Sequence, residues 1–163
     1  MQSEFSLWTR NPEIALITAC RESGTALVAF SPLGRGFLAG AVTDTTQLQE
    51  HDVRRGMPRF NAENLPHNLR QLEKLKAIAD ELGVTTGQLA LAWLRAQGED
   101  VIPIPGSRFI EHMHENLAAG TLDLDPATVA RLNTMMTPDQ IAGGRYSAEQ
   151  QADIDTEEFA LQD

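Results

Sequence analysis

Residues 26–40, ALVAFSPLGRGFLAG, run from an apolar segment through Ser31-Pro32 into glycines at positions 34, 36 and 40. Residues 101–108, VIPIPGSR, follow the same plan: a short apolar run, then Gly106, Ser107 and Arg108 leading into a helical pattern. Glycines let main-chain N–H groups approach a ligand, a helix N-terminus attracts negative charge, and arginine grips phosphate with two parallel donors. Two such places imply a nucleotide with two separate phosphate groups. Strands that alternate with helices pair in parallel through right-handed crossovers, so the chain reads as α/β.

Working outward, Gln2 to Trp8 predicts a first strand, and Asn11-Pro12-Glu13 predicts a helix start carrying Ile14, Ile17 and Cys20 and ending at Gly24. Ala26 to Phe30 is apolar at every position and predicts a strand buried on both faces. Ser31 to Ala62 is a long, largely polar stretch, and loops of that length are functional or mobile. Leu65, Leu69, Leu72, Leu75, Ile78, Ala79 and Leu82 make a helical stripe that closes at Gly83. Thr85 and Gln88 have capping-box spacing and open a helix carrying Leu89, Leu91, Ala92, Trp93 and Leu94. Ser107 is expected to cap a helix bearing Phe109, Ile110, Met113 and Leu117, and Asp125-Pro126 to start the last one, with Val129 and Leu132. From Pro138 the chain turns polar and acidic, which predicts a loosely held tail. Residues 1–146 therefore read as the structured portion and 147–163 as an acidic C-terminal tail.

The chain has 163 residues, 42% of them hydrophobic, which suits one domain with a proper core. A net charge of −10 repels phosphate backbones and argues against nucleic acid or anionic lipid as partner, while leaving room for a local basic pocket. No apolar stretch is long enough for a membrane span. A single cysteine, Cys20, cannot form an internal disulfide and points to a reducing, cytoplasmic setting. His112 and His114 lie two apart and face different sides of a helix, so no metal site is expected. Gly34, Gly36 and Gly40 approximate a dinucleotide fingerprint, but the spacing is one residue too long and no acid-terminated strand follows.

A family fits better. QSEFSLW, VAFSPLGRGFL, PRF, LEKLKAIADELGVTTGQLALAWLRAQG and IPIPGSRFIEHMHENLAA, in this order and spacing, resemble the C-terminal part of aldo-keto reductases, from about Gln2 to Tyr146. The resemblance implies a (β/α)8 TIM barrel of which only the last three β/α units and two extra helices are present, a partial barrel. Gln2 to Trp8, Ala26 to Phe30 and Val101 to Ile104 would be its sixth, seventh and eighth strands. It also implies NADP(H) as cofactor and a small-molecule aldehyde or ketone as substrate, reduced without metal.

Site residues follow from the same resemblance. Gln2 would bond the nicotinamide carboxamide and Phe30 would stack on the nicotinamide ring. Ser31, Leu33, Gly34 and Arg35 would wrap the pyrophosphate. Gly106, Ser107 and Arg108 would take the adenosine 2′-phosphate, and Glu115 and Asn116 the adenine. His112 stands where many members carry arginine; an imidazole is a weaker cation at neutral pH, so NADP preference would rest mainly on Arg108. Without the family, Phe30 reads as core, Gly34 and Gly36 as a turn, and Glu115 and Asn116 as a solvated helix face. Arg54, Arg55 and Arg59 read as pins of the long loop.

The family's tyrosine acid, its lysine and aspartate partners and its histidine come from the first half of the barrel, and none can be carried over. The only tyrosine, Tyr146, lies in a GGRY segment, and the two lysines, Lys74 and Lys76, sit on a helix. Three of eight strands cannot close a barrel, so open edges and exposed apolar faces are expected, and a start directly in a strand fits a truncated chain. Three readings remain open: the cofactor-binding part of a reductase, inactive without an N-terminal half-barrel; a non-catalytic module that self-associates; or a degenerate fragment.

Overall fold

The computed structural model describes residues 1–159; positions 160–163, the end of the expected tail, lie outside the described residues. Three parallel strands form the sheet in the order β1-β2-β3: β1 (Gln2–Glu4), β2 (Leu27–Phe30) and β3 (Val101–Pro103). Register pairs Gln2 with Val28 and Val28 with Ile102. Between and after them come α1 (Leu16–Glu22), α2 (Leu65–Leu82), α3 (Thr86–Arg95), α4 (Ile110–Ala118), α5 (Pro126–Met135) and α6 (Ala148–Ala152).

The core lies on one face of this sheet. Side chains alternate across a strand, and Leu27, Ala29 and Val101 are buried on that face. Val28 and Phe30 point the other way and are only half-buried, while Ile102 and Ile104 on that side are 47% and 45% exposed. The expected two-sided burial of the second strand is therefore corrected to one-sided burial. α3 is buried all round, from Leu89 to Leu94, as a helix apolar on every side must be. Trp93 sits edge-on to Phe5, ring centroids 5.4 Å apart, and its indole N–H donates to Asn133 Oδ1 at 2.7 Å. α2 lays Leu65, Leu72, Leu75, Ile78 and Ala79 on the core; Leu82 at its last turn is exposed.

Several local expectations shift. β1 stops at Glu4 rather than Trp8, because Ser6 Oγ accepts from the Trp8 and Thr9 amides and turns the chain aside. Asn11 to Glu13 forms a single 3-10 turn with no side-chain cap, and α1 proper starts at Leu16. Helix α4 begins after Phe109, and Ser107 Oγ accepts from Asn116 Nδ2 at 2.9 Å instead of capping it. Asp125 does cap α5, accepting from the Ala127 and Thr128 amides. α6 adds a helix after the one expected to be last.

Two stretches read as loose are built in. The long loop buries Phe37, Leu38, Val42, Met57 and Phe60, with Trp8 stacked on Phe37 at 3.8 Å. Beyond Pro138, Asn68 holds the Ala142 backbone through both its amide atoms, and Arg145 and Tyr146 return to β1. Buried polar side chains satisfied by backbone fix a segment that has few apolar residues of its own.

Candidate cofactor site

The loop after β2 and the start of α4 line one cavity of ≈ 490 Å³, although some seventy positions of sequence separate them. Ser31, Leu33, Arg35, Gly106, Arg108, His112, Glu115 and Asn116 all border it. Four other expected residues do not. Gly34 is buried beneath Trp8; Gln2 and Phe30 lie on the uncovered face of the sheet; Ser107 faces a neighbouring groove and bonds Asn116. Arg54, Gly36, Gly87 and Pro105 also border the cavity and were not among the expected cofactor residues.

Backbone geometry shapes the first wall. Ser31 and Arg35 adopt left-handed conformations, φ 48° and 56°, which non-glycine residues hold only where surrounding structure enforces them. For Arg35 the enforcement is visible: its guanidinium makes two 3.0 Å bonds to both carboxylate oxygens of Glu4 and a third to the Tyr146 hydroxyl. Its side chain is thus committed inward, a correction to the expectation that it grips pyrophosphate. Only its backbone bears on the loop, and Arg54 Nη1 donates to the Arg35 carbonyl at 3.1 Å. Arg54 is itself tied to Asp52, and its hydrogen bonds bring the Asp52 carboxyl down to about 2.

The opposite wall is freer. Arg108 is exposed and makes no hydrogen bond or ion pair among the described residues. Glu115 accepts from the Thr85 hydroxyl and stands 3.7 Å from His112 Nδ1. A Cβ on Gly87 would come within 3.3 Å of Glu115 Oε1, so this glycine lets α3 pass under the acid. Thr85 also accepts from the Gln88 amide at 3.1 Å, so the capping box and the cavity wall share one hydroxyl. Thr85→Ala is expected to cost about 1 kcal/mol of stability, read from a thermal or urea melt, and to release Glu115.

A network at the C-terminal end of β1 backs the cavity. Glu4 is 1% exposed and also accepts from Thr9 Oγ1 at 2.9 Å and from the Tyr146 hydroxyl at 2.7 Å. Burial alone would push its carboxyl up, but bonds and charge from Arg35, then Tyr146 and Arg145, outweigh that and hold it below the ordinary carboxylate range. Tyr146 moves the other way: burial and the neighbouring Glu4 push its hydroxyl up, so it stays protonated and donates. A larger cavity of ≈ 690 Å³ lies between α2 and α3 and shares Ala39 with the first. Its lone basic group, Lys76, is paired with Asp80, so it lacks the free positive charge that Arg108 offers.

The model of the aldo/keto reductase family matches residues 1–136. The chain belongs to this family. "Aldo-keto reductase yakc [NADP(+)]" of Schizosaccharomyces pombe is 42% identical over 144 residues, 88% of this chain and 42% of that protein. The glycerol dehydrogenase AKR11B4 from Gluconobacter oxydans superposes with a TM-score of 0.75 at 21% identity, covering 82% of this chain and 41% of that one. An aldo/keto reductase from Klebsiella pneumoniae, solved with NADP and acetate, gives a TM-score of 0.59 at 25% identity over 90% of this chain and 42% of that one. The chain thus spans less than half the length of the aldo-keto reductases it matches. Its three-stranded sheet is an arc of the family's TIM barrel, and no helix among the described residues is long and apolar enough to cross a membrane.

Proposed function

We propose that this aldo-keto reductase chain holds NADP(H) in the cavity between the loop after β2 and the start of α4. The observation that carries the reading is the convergence of Ser31, Gly36, Gly106 and Arg108 on one cavity with an unpaired guanidinium. Its residues fit the cofactor. Arg108 supplies the charge for the 2′-phosphate, Glu115 and Asn116 the polar groups for the adenine, and the left-handed loop from Ser31 to Gly36 the main-chain surface for the pyrophosphate. Gln2 and Phe30, at the open side of the sheet, take the nicotinamide end. When bound, the cofactor supplies a hydride to a small aldehyde or ketone.

The chain's own residues bind and orient; the group that protonates the developing alkoxide is supplied by an N-terminal half-barrel. Among the described residues both outer sheet edges are unpaired, and Ile102, Ile104, Phe109, Ile110, Met113 and Leu117, on or just after β3 and along α4, are exposed apolar side chains, which supports completion by further strands and helices. Tyr146 does not replace the missing acid, because its hydroxyl is spent on Glu4 and Arg35. A reducing cytoplasmic setting goes with this reading.

An NADPH fluorescence titration, with NADH as control, tests it. On the chain completed by its N-terminal half, Arg108→Ala is expected to weaken NADPH roughly 10–100-fold and leave NADH nearly unchanged. Equal affinity of the unmutated protein for both cofactors removes the assignment of Arg108. Carbonyl turnover by residues 1–163 alone overturns the dependence on a second half.

A further inference from the structure

The segment that returns to β1 also walls a separate cavity of ≈ 590 Å³, sharing no lining residue with the nucleotide cavity, where Arg59 and Arg145 meet. The Arg145 side chain is 5% exposed. The Arg59 guanidinium lies deep enough that burial, helped by Arg145 and Arg35, brings it down to about 10. Among the described residues neither arginine has a carboxylate of its own. Arg59 donates to neutral oxygens, the Trp8 and Gly143 carbonyls and the Thr9 hydroxyl. Arg145 approaches Glu4 Oε2 only at 3.5 Å, and its Nε and Nη1 have no hydrogen-bond partner among the described residues. Glu4 is already gripped through both oxygens by Arg35. Among the described residues, three guanidinium groups therefore lie near two carboxylates, the buried Glu4 and the exposed Glu158.

Charges withdrawn from water are paired, because lost hydration must be replaced by an opposite charge. The surplus here is positive and borders a cavity, so an anion restores the balance. Pro58, Ile141 and Phe159 line the same cavity and supply apolar surface that a bare inorganic ion would not use. Glu158 at its rim spends its oxygens on the side-chain amides of Asn11 and Gln151 and pairs with neither arginine. We propose that this cavity binds a small organic carboxylate, its head group held by Arg145 and Arg59 and its apolar body against Pro58 and Ile141. The site stands independently of the nucleotide reading, since the two cavities share no lining residue.

The chain carries its own reporter. Tyr146 is the only tyrosine and borders the cavity, so the ring signals from a 13C-tyrosine-labelled sample come from its wall. Benzoate, titrated against its neutral counterpart benzamide, is expected to shift the Tyr146 signals saturably and to bind about tenfold tighter. Glu158→Gln, an exposed rim change that leaves the core intact, is expected to tighten benzoate about threefold by removing a like charge. Arg145→Gln abolishes the shift, whereas Arg145→Lys, which keeps the charge, retains a weaker one. Equal responses to benzoate and benzamide, or no shift in both the unmutated chain and Glu158→Gln, overturn the proposal. So does tight benzoate binding that survives in a folded Arg145→Gln sample.

Discussion

Glu4→Gln lowers the unfolding free energy by about 3 kcal/mol or more, the largest single effect expected in this molecule. The substitution keeps the shape of the side chain and removes its charge. It leaves Arg35, and Arg145 behind it, buried beside a neutral amide. Urea denaturation measures the loss directly. The same carboxylate has a pH signature. Its folded-state pKa lies below the ordinary value, so its contribution is complete above the unfolded-state pKa and is lost as pH falls through the folded one. The unmutated chain is therefore expected to lose stability on acidification more steeply than Glu4→Gln. Parallel acid limbs in the two proteins would assign that loss to other carboxylates.

Gly34→Ala is the second large effect, at about 3 kcal/mol. A Cβ at this position would stand 2.7 Å from Trp8 Cε3, and the backbone is left-handed, φ +56°. Trp8 cannot retreat, since Phe37 stacks on one side of it and Phe60 meets it edge-on, ring centroids 5.1 Å apart. Overpacking of a filled core costs about 1–3 kcal/mol, and a left-handed non-glycine residue adds about 1 kcal/mol. Gly40→Ala is the control: its φ is +71°, but no atom lies within 4 Å of the added carbon, so only the backbone cost remains. If the two variants melt at the same temperature, the Trp8 contact carries no weight.

These two positions mark where the sequence could and could not be read. Elements set by neighbouring residues were legible: the capping box of Thr85 and Gln88, the Asp125 cap, the α2 stripe, and the two loops that end strands β2 and β3. Eight of the twelve expected cofactor residues border one cavity because strand ends and helix starts impose that meeting. Arg35 was misjudged for a physical reason. A guanidinium in a glycine loop looks the same in sequence whether it points outward to phosphate or inward to a carboxylate. What decides is Glu4, and a lone acid in an apolar strand carries no mark of its buried partners. Arg145 and Tyr146 were hidden likewise, since pairing across 142 positions leaves no periodic trace. The four 3-10 turns of the long loop escaped because their anchors, such as Phe60 and Met57, are isolated rather than periodic.

The return of Tyr146 to the opening strand also sets an order of assembly on the ribosome. Glu4 leaves the exit tunnel well before its partner, since the aromatic hydroxyl that completes its shell is translated 142 positions later. Arg35 follows Glu4 by only 31 positions, but until Arg145 and Tyr146 arrive the carboxylate keeps water in the rest of its shell, so the strand that carries it cannot settle fully. Closing so wide a chain loop late carries an entropic penalty that grows only slowly with separation. Nascent chains halted short of this tyrosine should therefore hold β1 frayed, ready to recruit chaperones.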